Sequence, residues 1–362
     1  MEKIMILTNS DLGLYKFRKE LIAELLKHYK VYISVPDGKF IKYFRQIGCT
    51  VYCTPIDRRG KNPIKDFLLL SHYTKILKKE KPDFVLTYTI KPNIYGGLVC
   101  KILKIKYFVN ITGLGSALEN KSTLTYILFK IYKNVLDSSE VVFFQNKSNQ
   151  IKINKSIKNS VKQVLLPGSG VNLEEYSFIN YPKNSGETNY IYVGRIMEPK
   201  GVNELLEAFK LLKNKYMNVN LTFIGNFEED FDKKQFNDLY KKGIINYLGI
   251  QEDIRRFYKE SNVIVNPSHH EGMSNVLLEA ASSGRPMIAS NIPGCKEIVK
   301  NDYNGYLFDA KEVQSLFLAL EKFHLLSYEK KIKMGENANN YVTKYFNRNI
   351  IIDTYLNEIK EK

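Results

Sequence analysis

Two carboxylates, Glu271 and Glu279, stand eight residues apart in the stretch NPSHHEGMSNVLLEAASSGRPMIASNIPGCKEIV, residues 266–299. An apolar run, Val263 to Val265, breaks at Pro267, and a helix is expected from about Ser274–Asn275. Such a helix start offers free backbone N–H groups and a positive dipole end, a place suited to a diphosphate. A carboxylate one turn inside cannot bind phosphate, but it accepts hydrogen bonds from sugar hydroxyls. Gly272 lets a bulky ligand come close to the backbone. The residues alone leave two readings open: a nucleotide-sugar pocket, or an ordinary strand–loop–helix with solvated glutamates.

The elements that must position these residues alternate along the chain. Lys3 to Asn9 reads as a buried strand, Asn9 to Gly13 as a loop, and Tyr15 to His28 as a helix, the opening of a doubly wound domain. Strands are expected at 31–35, 50–53, 84–88, 107–111, 141–144 and 161–165, with helices such as 64–79 and 122–137 between them. Arg18 on the first helix is expected to face solvent rather than a ligand. The polar, turn-rich segment 177–188 reads as a linker. A second strand–loop–helix follows, with Arg195 and Lys200 between Val193 and a helix from Val202. The chain is therefore read as α/β with two Rossmann-like doubly wound domains, 1–176 and 187–345, and a terminal segment 346–362.

Composition narrows the function class. At 362 residues, 44% hydrophobic and 25% charged, the chain has the make-up of a soluble globular protein of two domains. No run approaches the roughly eighteen apolar residues of a membrane span. Cys49, Cys53, Cys100 and Cys295 have neither metal-ligand spacing nor disulfide-framework density, so no metal site and a reducing cytoplasm are expected. The net charge of +16 is uneven: residues 1–180 hold 29 Lys/Arg against 14 Asp/Glu, and residues 181–362 hold 25 against 24. Interleaved basic and aromatic residues, as in Lys39 to Arg45 and Phe67 to Lys79, suit an anionic membrane surface or the outer faces of core helices.

The stretch 266–299 resembles the Glu-x7-Glu signature of retaining glycosyltransferases of family 4, which have the GT-B fold. The match runs on through Glu279-Ala280, Gly284-Arg285-Pro286, Ser290 and Pro293-Gly294. Gly194-Arg195 and Lys200-Gly201 match the family's paired phosphate-binding positions, and Pro167 to Asn172 with Tyr176 its exit from the first domain. The resemblance implies an interdomain cleft as active site and a terminal helix that crosses back to the first domain. It implies that Glu279 holds the ribose and Glu271 the donor sugar. Backbone N–H groups of Gly272, Met273, Ser274, Asn275 and Val276 would bind sugar hydroxyls and phosphate, and Arg195 and Lys200 the departing diphosphate. Gly194, Asn226 and Ile250 fall where relatives contact the nucleotide.

The first domain departs from the family pattern. Its first loop carries Gly13 alone where relatives often have two glycines, which implies a looser contact with the donor phosphate or one made by Gly13 alone. TIKPNIYGG and NITGLGS, residues 89–97 and 110–116, resemble a branch that builds capsule, O-antigen and other surface polysaccharides on lipid carriers. They lack the usual histidine, so Asn110, Thr112 and Lys91 are expected on the acceptor side, with His270 as a further contact. Gly113 and Gly115 fit a phosphate loop or plain turns. Asp57 to Gly60 is a loop where an anionic acceptor could be held.

The expectation is transfer of a sugar, with retention, from a nucleotide donor to a saccharide on a polyprenyl diphosphate at the inner leaflet. No cofactor and no nucleic-acid partner are expected. The runners-up are a nucleotide-sugar epimerase, short of cleft acid–base residues, and a nucleic-acid binder, which leaves the four charged site residues without a purpose.

Overall fold

The computed structural model describes residues 1–57, 60, 62–112, 123–154, 157, 158 and 160–362, and for 123–127 the backbone alone. The chain divides into two units. One is Met1–Ser169 with Ile350–Lys362, and the other is Gly170–Asn349.

The first unit is built on a seven-stranded parallel sheet. Its strands are β1 (Lys3–Leu7), β2 (Lys30–Val35), β3 (Thr50–Cys53), β4 (Phe84–Tyr88), β5 (Lys106–Ile111), β6 (Val141–Phe144) and β7 (Lys162–Leu165), in spatial order β3-β2-β1-β4-β5-β6-β7. The second unit has a six-stranded parallel sheet. Its strands are β8 (Thr188–Val193), β9 (Val219–Ile224), β10 (Asn246–Tyr247), β11 (Val263–Asn266), β12 (Met287–Ser290) and β13 (Gly305–Phe308), in order β10-β9-β8-β11-β12-β13. Helices cover both faces, so the strands read as continuous apolar runs. The period of two decides which core each residue joins. Ile4 and Ile6 enter one cluster and Met5 and Leu7 the other; in β8, Tyr190 and Tyr192 lie on one face and Ile191 on the opposite one. The architecture is the GT-B pair of Rossmann-like units.

Strand order reverses between β1 and β4 in the first sheet and between β8 and β11 in the second. In open parallel sheets ligands sit beyond the carboxyl ends of strands at such a reversal. In the second unit that places the loops after β8 and β11, with Arg195, Lys200 and Glu271, at the ligand-binding edge.

Local chemistry sets the helix starts. Asn62 caps Pro63–Glu80 by accepting from the Ile64 amide, with proline at the first helical position, and Lys81 ends it in the left-handed region at φ 48°. The terminal helix Arg348–Lys360 puts Ile351, Ile352, Tyr355, Leu356 and Ile359 into the first unit's core. Each such side chain contributes about 1.5–3 kcal/mol gross, which holds the helix to that unit.

Two boundaries differ from the sequence reading. The division after Ser169 leaves Val171 and Tyr176 with the second unit, because both pack on the cluster beneath helix Asn275–Ser282. The first helix begins at Asp11, capped by Ser10, so Gly13 lies in its first turn rather than in a loop.

Candidate active site

The site of the second unit is assembled from loops pressed together at the carboxyl edge of the sheet. Gly201, at φ 66°, ends the short turn Glu198–Lys200, and a Cβ there would lie 1.9 Å from the Pro267 carbonyl oxygen. Gly225, at φ 147°, would bring a Cβ to 1.7 Å from the Gly194 oxygen. Only glycine allows these approaches. The loop after β8 is thereby fixed to those after β9 and β11.

The tightest charge pair in this cluster is Lys200 Nζ with Glu271 Oε1 at 2.6 Å, both side chains largely shielded from solvent. Ser268 Oγ lies 2.8 Å from the same oxygen and 2.7 Å from Asn266 Oδ1, its one hydroxyl proton shared between the two. Both contacts to Glu271 fall on Oε1. Arg195 is half-exposed, with its guanidinium 2.7 Å from Glu228 Oε1. Burial, and then the Glu271 carboxylate, pushes the Tyr192 phenol and the Cys295 thiol up, so both stay neutral.

The loop 267–274 is clamped at both ends by Asn266. Its Nδ2 donates to Ser274 Oγ at 2.6 Å, and its Oδ1 accepts from Ser268 Oγ at 2.7 Å and from the Ser268 amide at 3.3 Å. Ser274 caps helix Asn275–Ser282, accepting from the Leu277 amide, while its own N–H donates to Gly294 O at 2.9 Å. The helix therefore starts where the sequence places it. Its first amides, at Asn275 and Val276, have no carbonyl one turn back to bond, and Met273 is buried beneath them. Glu279 lies in the second turn, half-buried, with the Tyr258 hydroxyl 3.5 Å from its Oε2.

The two histidines part ways. His270 is exposed. His269 is a fastening: its Nε2 pairs with Glu204 Oε1 at 2.9 Å, and its N–H donates to Pro199 O at 3.0 Å. No motif in the sequence marks Asn266, Glu204, Glu228 or Gly225 as site residues. Arg285 stands out there only as part of the Gly284-Arg285-Pro286 motif. Arg285 is fully buried and donates to the carbonyls of Ile179 and Asn180, which ties the segment after Tyr176 to the sheet. Asn226 reaches no farther than the Phe227 carbonyl at 3.5 Å, and Ile250 is 72% exposed; the Gly225 amide joins their two loops through Gly249 O at 2.9 Å.

In the first unit several expectations need correction. Arg18 is 4% exposed rather than solvated: its guanidinium lies 5.1 Å from the Tyr88 ring and 6.0 Å from that of Tyr355, and donates to Phe17 O. Asn110 is buried within β5, donates to Thr87 O at 3.0 Å and accepts from the Tyr355 hydroxyl, so both its polar groups are engaged. The Gly13 amide is used by Ser10 Oγ at 3.0 Å. Lys91 pairs with Asp66 at 2.6 Å. Thr112 is half-buried just past β5. Residues 89–97 are not an open loop: a π turn, Pro92–Gly96, runs into helix Gly97–Leu103. Thr89, at φ 73°, holds a conformation rare for a β-branched residue, a strain typical of functional turns. Arg58, Arg59, Gly113 and Gly115 lie outside the described residues. Among the described residues no three His, Cys, Asp or Glu side chains are grouped to hold a metal, and no helix is long and apolar enough to cross a membrane.

The chain is similar to known proteins in sequence and in fold. Residues 174–341 match the sequence model of the family described as Glycosyl transferases group 1, and residues 3–146 that of Glycosyl transferase 4-like. A Campylobacter jejuni relative, N,N'-diacetylbacillosaminyl-diphospho-undecaprenol alpha-1,3-N-acetylgalactosaminyltransferase, is 27% identical over 98% of this chain and 97% of its own. An Escherichia coli relative, UDP-Gal:alpha-D-GlcNAc-diphosphoundecaprenol alpha-1,3-galactosyltransferase, is 28% identical over 80% of this chain and 78% of its own. The solved structure of sucrose-phosphate synthase from Thermosynechococcus elongatus superposes with a TM-score of 0.83 at 16% identity, covering 100% of this chain and 99% of that one. With the Glycosyl transferase 4-like model on the first unit, the Glycosyl transferases group 1 model on the second, and the charged loops of the second gathered at the reversal of its sheet, the chain is a glycosyltransferase of GT-B fold.

Proposed function

We propose that the chain moves a hexose or N-acetylhexosamine from a UDP donor to a saccharide carried on a polyprenyl diphosphate, with retention and without metal or cofactor. The observation that supports this most is the Lys200–Glu271 pair beside the start of helix Asn275–Ser282. It sets a cation, a carboxylate and free amides within one small surface. Both relatives named above act on undecaprenyl-diphosphate-linked acceptors and form alpha linkages. A UDP-hexose is ordinarily α-linked, so an α product means retention.

In this reading Glu279 accepts from the ribose hydroxyls and Glu271 Oε2 from a hydroxyl of the donor sugar. The amides of Asn275 and Val276 face sugar and phosphate, that of Ser274 being taken by Gly294 O, with Gly194, Asn226 and Ile250 around the nucleotide. As the bond from the anomeric carbon to the diphosphate oxygen breaks, negative charge grows on the UDP. Lys200 leaves Glu271, and Arg195 leaves Glu228, to meet that charge. The acceptor hydroxyl bonds to the same face of the anomeric carbon, and its proton passes to the departing diphosphate. No protein nucleophile is needed. A trapped glycosyl-enzyme would refute this route. Reaction with a lipid-linked acceptor sets the chain at the cytoplasmic face of an anionic membrane.

The experiment is a panel of UDP-, GDP- and dTDP-sugars, read by thermal shift and slow donor hydrolysis, with wild type beside Glu279→Ala. A ligand that binds only the folded chain raises its melting temperature according to its affinity. A shift for one UDP-sugar that vanishes in the variant is the expected result. No shift for any nucleotide sugar overturns the donor assignment.

A further inference from the structure

Helix Pro63–Glu80 carries apolar side chains on two opposite faces. The inner face is Leu69, Tyr73, Ile76 and Leu77, all buried. At 3.6 residues per turn, positions 64, 67, 68, 71, 75 and 78 share the other face, and all six are exposed. The first half of that outer stripe holds Ile64, Phe67 and Leu68, at 71%, 69% and 60% exposure. The second half holds Lys75 and Lys78. Single exposed apolar residues are ordinary, but three on adjoining turns of one face form a patch that marks a contact surface.

We propose that the first two turns of this helix dock the chain onto an anionic lipid bilayer. Ile64, Phe67 and Leu68 enter the boundary between headgroups and acyl chains, while Lys65, Lys75 and Lys78 lie among the headgroups. Charge selects the occupant. The patch belongs to the half of the chain with 29 Lys/Arg against 14 Asp/Glu, and a second copy would bring the same excess against it. A bilayer of anionic lipid supplies both the apolar depth and the opposite charge.

The same turn governs the loop after β4. Asp66 pairs with Lys91 Nζ at 2.6 Å and accepts from the Tyr95 hydroxyl at 2.8 Å. Asp66 lies on the side of the helix away from the patch, so this pairing braces the helix against the segment after β4 and leaves the patch outward. The docking rests on the exposed patch and its charge, not on the proposed acceptor.

The chain has no tryptophan, so Phe67→Trp creates a single fluorescent reporter within the patch. Its emission is compared with mixed phosphatidylglycerol–phosphatidylcholine vesicles, with phosphatidylcholine alone, and without lipid. The expected result is a blue shift with the anionic vesicles. Combining Ile64→Ser, Phe67→Ser and Leu68→Ser should lower partition into the same vesicles by roughly tenfold or more. A control, Met217→Ser at another exposed apolar residue, should leave it unchanged. The triple variant's circular dichroism and cooperative thermal unfolding, matching wild type, verify that it is folded. Vesicle binding without a blue shift, no vesicle binding, or a blue shift that follows protein concentration without lipid each overturns the proposal. The vesicles contain neither donor nor acceptor, so failure here and failure of the sugar-transfer reading are separate results.

Discussion

The Nζ of Lys200 lies 2.6 Å from Oε1 of Glu271, although 71 residues separate them in the chain. The carboxylate holds the lysine in place, and in the proposed reaction the lysine leaves it for the diphosphate. Lys200→Ala should reduce kcat by about a hundredfold or more, as removal of a group that meets developing charge does. It should leave the fold intact. Steady-state kinetics with saturating donor checks this, and a variant that loses only KM would assign Lys200 to ground-state binding alone.

Gly201 sets the distance between the loops that carry this pair. Gly201→Ala forces a Cβ into the Pro267 carbonyl and a side chain into φ 66°. A loss of about 1–3 kcal/mol in stability is expected, with lowered turnover because Lys200 and Glu271 lie on the two displaced loops. Urea unfolding and donor hydrolysis test both parts. Unchanged midpoints would show that the loops yield freely.

Arg18 is a buried cation whose neighbours are two aromatic faces and the Phe17 carbonyl. Arg18→Ala removes that packing against Tyr88 and Tyr355 and should destabilise the first unit by about 2–4 kcal/mol. The terminal helix should be the first element released, since Tyr355 belongs to it. Hydrogen exchange across residues 350–362 reads this directly.

Two half-buried histidines make stability depend on mild acid. Burial, and secondarily Lys75 for His72 and Lys331 for His324, holds both below the usual histidine range. The unfolded chain then binds more protons than the folded one below a pH of about 6.5. The stability these groups contribute is fully present above that pH and is lost as pH falls through the folded values. Melting temperature should drop on acidification from neutrality, and less so in His324→Gln, which removes the titration while keeping a partner for Thr188. An identical pH slope in that variant would discount His324.

The features legible in the residues were those whose causes are local. Strand and helix alternation follows from periodicity, and the start of helix Asn275–Ser282 follows from Ser274 as its cap. Glu271, Glu279, Arg195 and Lys200 stood out because charged side chains after strands and before helices have few other uses. The misread residues were those whose surroundings come from far along the chain. Arg18 reads as a surface cation until Tyr355 of the terminal helix covers it. Asn110 reads as a ligand contact until that same tyrosine, 245 residues away, donates to its side chain. Periodicity, capping and charge type act within a few residues and are written in the sequence. Burial and pairing depend on which distant segments the parallel sheets bring side by side, and only the folded chain decided those.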